Sequence, residues 1–211
     1  MKKAMMLVAD YWHSKESLEP LYKLLFENEE DCLFTTDPED FYKDEYELLI
    51  TFKDPIENNQ IPTPTWCDEK WTKLLFERVN NGMNFMPIHA ALADLSKEHP
   101  IVKELYESVF ITHPAQCPLS FEPIKEHPIL EGITNFTFPQ IDEHYVMEMM
   151  PLAKSEILAY TVSEHGKQPG LWINSYGKGK IAMFTPGHDT PNLTCPEYVQ
   201  IMKNMIKWCE N

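Results

Sequence analysis

Gly187-His188-Asp189 sets an imidazole beside a carboxylate at the end of the apolar run KIAMFTP. Such a pair suits proton transfer near neutral pH, one group moving the proton while the other orients it. Two more apolar runs end in similar chemistry. MNFMPIH delivers His89, followed by the small residues Ala90 and Ala91, and KAMMLVAD leads through Asp10 into Tyr11-Trp12-His13. His113 precedes Pro114, and the adjacent acids Asp142 and Glu143 precede Tyr145. In an extended segment Asp142 and Glu143 point opposite ways, which puts Glu143 and Tyr145 on one side. No serine or cysteine adjoins His89, so neither a Ser/His/Asp triad nor a cysteine nucleophile is evident.

The elements that must carry these residues follow from periodicity. KAMMLVAD, DCLFTT, YELLITF and MNFMPIH are short apolar runs of strand type, and continuous apolar runs suit strands covered on both faces. Between them lie a helix capped by Ser17 with Leu18, Leu21 and Leu25 on its apolar face, and a helix opened by a Thr65/Asp68 capping box and closed at Asn80-Asn81-Gly82. The acidic stretch from Asp37 to Glu47 is a solvated connection. Strand–helix alternation implies parallel pairing with right-handed crossovers. Prolines break residues ~99–151 into loops and short strands, an insertion on the sheet rather than a new domain. EILAYTV, GLWINSY and KIAMFTP are three more strands, the last two joined as a hairpin by Gly177-Lys178-Gly179. A Thr194/Glu197 capping box opens a closing helix that buries Tyr198, Ile201, Met202, Met205 and Cys209. The expected fold is a single α/β domain over residues 1–211. Ligands of an open α/β sheet bind beyond the carboxyl ends of its strands, where His13, His89 and His188 meet two carboxylates. Trp172 alternates onto the face of Asn174 and Tyr176, opposite Leu171 and Ile173; a tryptophan there is more often core, and where that face is open it is a candidate sugar-stacking surface. His99, His127, His144 and His165 are assigned to the surface or to turns.

Bulk properties restrict the partners. With 211 residues, 43% of them hydrophobic, the chain can bury a substantial core. Its formal net charge of -15, from 33 acids against 18 bases, repels phosphate backbones and anionic lipid, so nucleic acid and membranes are not expected partners. The apolar run within MKKAMMLVADYW is too short for a signal peptide and lacks a cleavage site, and reads as a buried strand. The scattered Cys32, Cys67, Cys117, Cys195 and Cys209 fit reduced thiols and a cytoplasmic location.

The ordered run HPILEGITNFTFPQIDEHY, ILAYT and PGLWINSYGKGKIAMFTPGHD, with NFMPIHAA and LYESVFITHP before it, resembles the trehalose-utilisation, or ThuA-like, family. The likeness covers residues ~75–211 well and the start loosely. It implies a flavodoxin-like three-layer sandwich related to class I glutamine amidotransferases, with a mostly parallel sheet and a C-terminal antiparallel hairpin. It also implies chemistry on a small carbohydrate or keto-sugar. His89 stands where the amidotransferases carry their cysteine, so glutamine hydrolysis is not implied. Two features depart from the family: Asn84-Phe85-Met86-Pro87 replaces a glycine-rich approach to His89, and only one histidine, His13, follows the first strand.

Two classes of function fit. In the first, an enzyme uses His89 or His188 to move a proton, with Asp189 or an acid of the Asp142–Glu143 pair orienting the imidazole. Trp12, His13, His113, Asp142, Tyr145 and Trp172 are then the substrate contacts. A variant of it has His89, His113, His188 and one carboxylate holding a divalent ion such as zinc. In the second, the chain is a catalytically silent carbohydrate-binding or regulatory module. An edge strand or the proline-rich segment would serve a homodimer.

Overall fold

The computed structural model describes residues 4–211. Lys3, placed by the sequence at the start of the first strand, lies outside the described residues. In chain order the elements are β1 (Ala4–Leu7), α1 (Lys15–Leu25), β2 (Cys32–Thr35), the single turn α2 (Asp40–Lys43), β3 (Leu48–Thr51), α3 (Glu69–Asn81) and β4 (Asn84–Pro87). A tight 3-10 turn over His89–Leu92 and a π-helical turn over Ile101–Tyr106 follow. Then come β5 (Ser108–Thr112), β6 (Ser120–Pro123), β7 (Phe136–Thr137), β8 (Val146–Met149), β9 (Glu156–Ser163), β10 (Gly166–Tyr176), β11 (Gly179–Phe184), the short α4 (Thr190–Leu193) and α5 (Pro196–Glu210).

The main sheet runs β2-β1-β3-β4-β11-β10-β9-β6-β7. From β2 to β11 the pairs are parallel, and from β11 to β7 they are antiparallel. Alternation along the central strands divides the apolar side chains between two cores. Met6, Ile50, Met86, Ala182 and Phe184 face the layer containing α1 and α5, while Met5, Leu7, Leu49, Phe85, Ile181 and Met183 face the layer containing α3. Every residue of β1 is buried, as a strand covered on both faces requires. The result is a three-layer α/β sandwich. The proline-broken segment supplies short strands, as expected: β6 and β7 extend the main sheet, and β5 pairs with β8 in a separate two-stranded sheet.

Several local expectations need correction. Ser14, not Ser17, caps α1 by accepting from the Ser17 amide. Asp68, not Thr65, caps α3 by accepting from the Trp71 amide at 2.8 Å, while Thr65 accepts from Cys67 instead. The Thr194/Glu197 box does not form; Cys195 holds the cap position, and the Thr194 hydroxyl donates to the Thr190 carbonyl. Gly82 ends α3 in the left-handed conformation, as its sequence predicts.

Trp172 is the largest correction. It is fully buried, and its indole N–H donates to the Tyr106 carbonyl at 2.9 Å, so no sugar can stack on it. The π-helical turn that covers it comes from the proline-rich segment, whose packing alternation alone does not reveal. Trp172→Phe removes this bond and leaves a buried carbonyl unpaired. The expected cost is about 1–3 kcal/mol, read as a fall of roughly 2–12 °C in Tm for a chain this long, with sugar affinity unchanged. A loss of affinity without a loss of Tm would restore the stacking role. His144 is also corrected: it is buried, with Nδ1 2.6 Å from the Ser163 hydroxyl.

Candidate active site

Four segments meet at the carboxyl ends of the parallel strands. After β1 the chain turns through Ala9, which has a φ of 72°, into Asp10. The Asp10 carboxylate is a buried post: Oδ1 accepts from the amides of Trp12 (2.8 Å) and His13 (2.9 Å), and Oδ2 accepts from the Asp54 amide (3.0 Å). The same carboxylate accepts from His13 Nδ1 at 2.9 Å, which leaves Nε2 of the neutral ring without a hydrogen. Burial opposes ionisation of Asp10, but the bonds from His13 and the amides outweigh it and lower its pKa. Burial is likewise the largest influence on His13 and lowers its pKa against the pull of Asp10.

His89 follows β4 with a φ of 48°. A non-glycine residue in this region costs on the order of 1–3 kcal/mol and persists where the surroundings enforce it. Here the enforcement is visible. The ring is 1% exposed, its Nδ1 lies 2.8 Å from the Thr185 carbonyl, and it stacks on Tyr145 at 4.6 Å. Nδ1–H donates to that carbonyl, so Nε2 faces the cluster as a lone pair. The third imidazole arrives from β11 through Gly187, whose φ is 132°. His188 Nδ1 lies 3.0 Å from His13 Nε2 and 3.4 Å from His89 Nε2.

Glu143 closes the group. Its Oε1 is 3.3 Å from His188 Nδ1 and its Oε2 is 3.5 Å from His89 Nε2. Burial tends to raise the Glu143 pKa, yet the His188 N–H and the positive charge that the neighbouring His188 and His89 rings carry when protonated reverse this and hold the carboxyl well below its ordinary range. Burial tends to lower the His188 pKa, and Glu143 reverses this, so the net direction is up. The nitrogens of His13, His89 and His188 all lie within 4.8 Å of one another. They are the candidate metal ligands, in place of the His89, His113 and His188 set anticipated from sequence. His113 sits farther out: its Nε2 is 3.8 Å from Glu143 and its Nδ1 is 2.9 Å from the Pro114 carbonyl.

Above the cluster opens a cavity of about 400 Å³, lined by Trp12, His13, Asp54, His113, Glu143, Tyr145 and His188 among others. Trp12 is half exposed at its mouth, with its indole N–H 3.2 Å from Asn59 Oδ1. A larger hollow of about 710 Å³ lies at the opposite end of the strands, beside Leu48, Asn84 and Lys180, and no histidine lines it among the described residues.

Two expected roles change. Asp142 points away from the cavity, opposite Glu143 and Tyr145 as alternation requires, and is therefore not a substrate contact. It is fully buried and accepts from the Glu143, Gly187 and His188 amides (2.8, 3.2 and 3.2 Å) and from Asn192 Nδ2 (3.1 Å), so it ties the two halves of the site together from behind. Asp189 makes no hydrogen bond to His188 among the described residues and adds only its charge; Glu143 is the carboxylate that touches that ring. Asp10, noted on the rim but given no role, is the orienting acid for His13.

Asp54 went unnoticed in the sequence, although the same strand-end rule applied to Lys53-Asp54 after YELLITF would have found it. Burial, with the nearby charges of Asp94 and Asp10, pushes its pKa up to about 8. The unfolded chain releases that proton near pH 4, so unfolding releases a proton anywhere between these values. Stability therefore falls as pH rises through this window. Asp54→Asn keeps the acceptor for the Ile56 amide and cannot ionise. Its Tm relative to the native chain is expected to climb by several degrees between pH 4 and pH 8.5, and parallel Tm profiles would refute the raised pKa.

No curated protein is similar enough to count as a match. Among solved structures, a ThuA-like protein from Bacteroides uniformis ATCC 8492 superposes with a TM-score of 0.74 at 19% identity, covering 99% of this chain and 91% of the other. A ThuA-like protein from Parabacteroides merdae ATCC 43184 gives 0.76 at 18% identity, covering 99% and 89%. A cytoplasmic protein from Salmonella typhimurium LT2 gives 0.67 at 16% identity, covering 99% of each. No helix of the described residues is long and apolar enough to cross a membrane. The family model for ThuA, trehalose utilisation, matches residues 5–209, and on that match over nearly the whole length the chain belongs to the ThuA family.

Proposed function

We propose that the protein is an enzyme acting on a small carbohydrate, with a keto-sugar as the preferred class, by moving a proton beside a carbonyl group. The convergence of Glu143, His13 and His188 on the wall of an open cavity, with the buried His89 directly behind them, carries this reading. His13 and His89 each have Nδ1 engaged elsewhere, so their bare Nε2 atoms and the Glu143 carboxylate form a basic patch around His188 Nδ1. A base of this patch takes a proton from carbon next to the carbonyl, and the His188 N–H bonds to the oxygen that gains charge. That step serves isomerisation or elimination. The half-exposed Trp12 at the mouth offers an apolar face to a sugar ring, and the polar walls offer partners for hydroxyls.

Glutamine hydrolysis is not the reading, because the elbow holds His89 and all five cysteines are buried. A cytoplasmic setting is part of the proposal, supported by those free thiols and by the Salmonella protein so described. The test is incubation with disaccharides and 3-keto-sugars in deuterated water. Deuterium incorporated next to the carbonyl, or a new product by mass spectrometry, is expected. Sugar bound at the cavity with neither exchange nor product would make the protein a binding module instead.

A further inference from the structure

We infer that His13 Nε2, His89 Nε2, His188 Nδ1 and the Glu143 carboxylate form a binding site for one divalent first-row transition ion, of which zinc is the best fit. The inference uses the proposed function only for what the ion would do, not for whether it binds.

The geometry comes first. A metal–nitrogen bond of about 2.0–2.1 Å in a tetrahedral site separates neighbouring ligand atoms by about 3.3 Å. His13–His188 and His89–His188 measure 3.0 and 3.4 Å, the two oxygens of Glu143 lie 3.3 Å from His188 and 3.5 Å from His89, and the His13 and His89 nitrogens are within 4.8 Å of each other, so a bound ion needs only a small inward shift of these two rings. Tautomers come second. The Asp10 carboxylate holds the Nδ1–H of His13 and the Thr185 carbonyl holds that of His89, so both rings present lone pairs inward. A carboxylate or carbonyl behind a ligating imidazole is the usual outer support of a metal site, fixing the ring and raising its basicity. Third, the cluster is over-supplied with acceptors. A single hydrogen on His188 Nδ1 serves only one of His13 Nε2, His89 Nε2 and Glu143 well, whereas a cation satisfies all of them. His188 then binds as its Nε2–H tautomer, which needs no net proton release from a neutral ring.

Three imidazoles and one carboxylate favour zinc, cobalt or manganese over magnesium or calcium, which prefer all-oxygen shells. Glu143 borders the cavity, so a fifth position would open toward substrate, where the ion would polarise a carbonyl oxygen in place of the His188 N–H.

The experiment uses untagged protein, stripped with a chelator and titrated calorimetrically with zinc, and separately with cobalt followed by its visible absorption. One equivalent of each ion is expected, with the cobalt spectrum reporting nitrogen-rich coordination. Glu143→Gln and His13→Ala should each weaken zinc binding by more than the roughly 10–100-fold that an outer-shell change costs, and His113→Ala should leave it unchanged. Glu143→Gln preserves shape, so it remains informative if His13→Ala fails to fold. Absence of stoichiometric zinc and cobalt binding, or binding that survives Glu143→Gln and falls with His113→Ala, overturns the site. Keto-sugar turnover by the stripped, ion-free protein would overturn the ion's role and keep the proposed function. Tight ion binding without any turnover would do the reverse.

Discussion

His188→Ala is expected to lower kcat/KM on a keto-sugar substrate by at least about 100-fold, the lower end of what a positioned proton-transfer group contributes. At about 1.36 kcal/mol per factor of ten, that is roughly 2.7 kcal/mol of transition-state stabilisation. His188 Nδ1 alone contacts His13, His89 and Glu143, so its removal dissolves the cluster rather than thinning it. The fold should not suffer. The side chain is 18% exposed and donates nothing to either hydrophobic core. The Tm should therefore move by no more than about 2 °C, within the range of surface substitutions. Full activity in His188→Ala, with the fold intact, would mean that the chemistry happens elsewhere.

Asp142→Ala should do the opposite and damage the fold and the site together. The carboxylate accepts from three backbone amides and one side-chain amide in a place without solvent. Losing it strands those donors in the interior. Removing one partner of a buried charged arrangement typically costs about 3–5 kcal/mol, and for a chain of this length the Tm should drop by roughly 6–20 °C. Glu143 and the Gly187–His188 turn would lose their common anchor, so activity at a permissive temperature should fall as well. Asp142→Asn separates the two effects. It retains one carbonyl oxygen but turns an amide toward donors, so it should recover part of the stability and little of the activity. An Asp142→Ala protein as stable as the native chain would show that the anchor is dispensable.

Periodicity revealed the sheet because its central strands are covered on both faces and so appear as unbroken apolar runs, as in AMML and LLIT. The strand-end rule then placed His13, His89 and His188 on one border before any distance was known. Caps were less legible. Ser14 and Ser17 are chemically equivalent signals three residues apart, and only the backbone turn decides between them. Trp172 was misjudged because alternation gives the face of a side chain but not what lies over that face. The anchoring role of Asp142 was illegible for a related reason: its partners Gly187, His188 and Asn192 are 45 to 50 residues away, and no local pattern signals them. Of the site, the histidines and Glu143 were legible and the orienting role of Asp10 was not, since Asp10 is recognised only once the His13 ring it holds is in place.

The position of β11 carries a consequence for biosynthesis. It lies between β4 and β10, yet it is made after every other strand of the sheet. Until residue 184 leaves the ribosome, the nascent chain holds two half-sheets whose facing edges, on β4 and β10, have no partner. Open edges of this kind invite pairing with other chains. Threading β11 into the gap closes both edges, and His188 emerges four residues later. Protection from aggregation and completion of the pocket thus arrive together, with the last strand of the sheet.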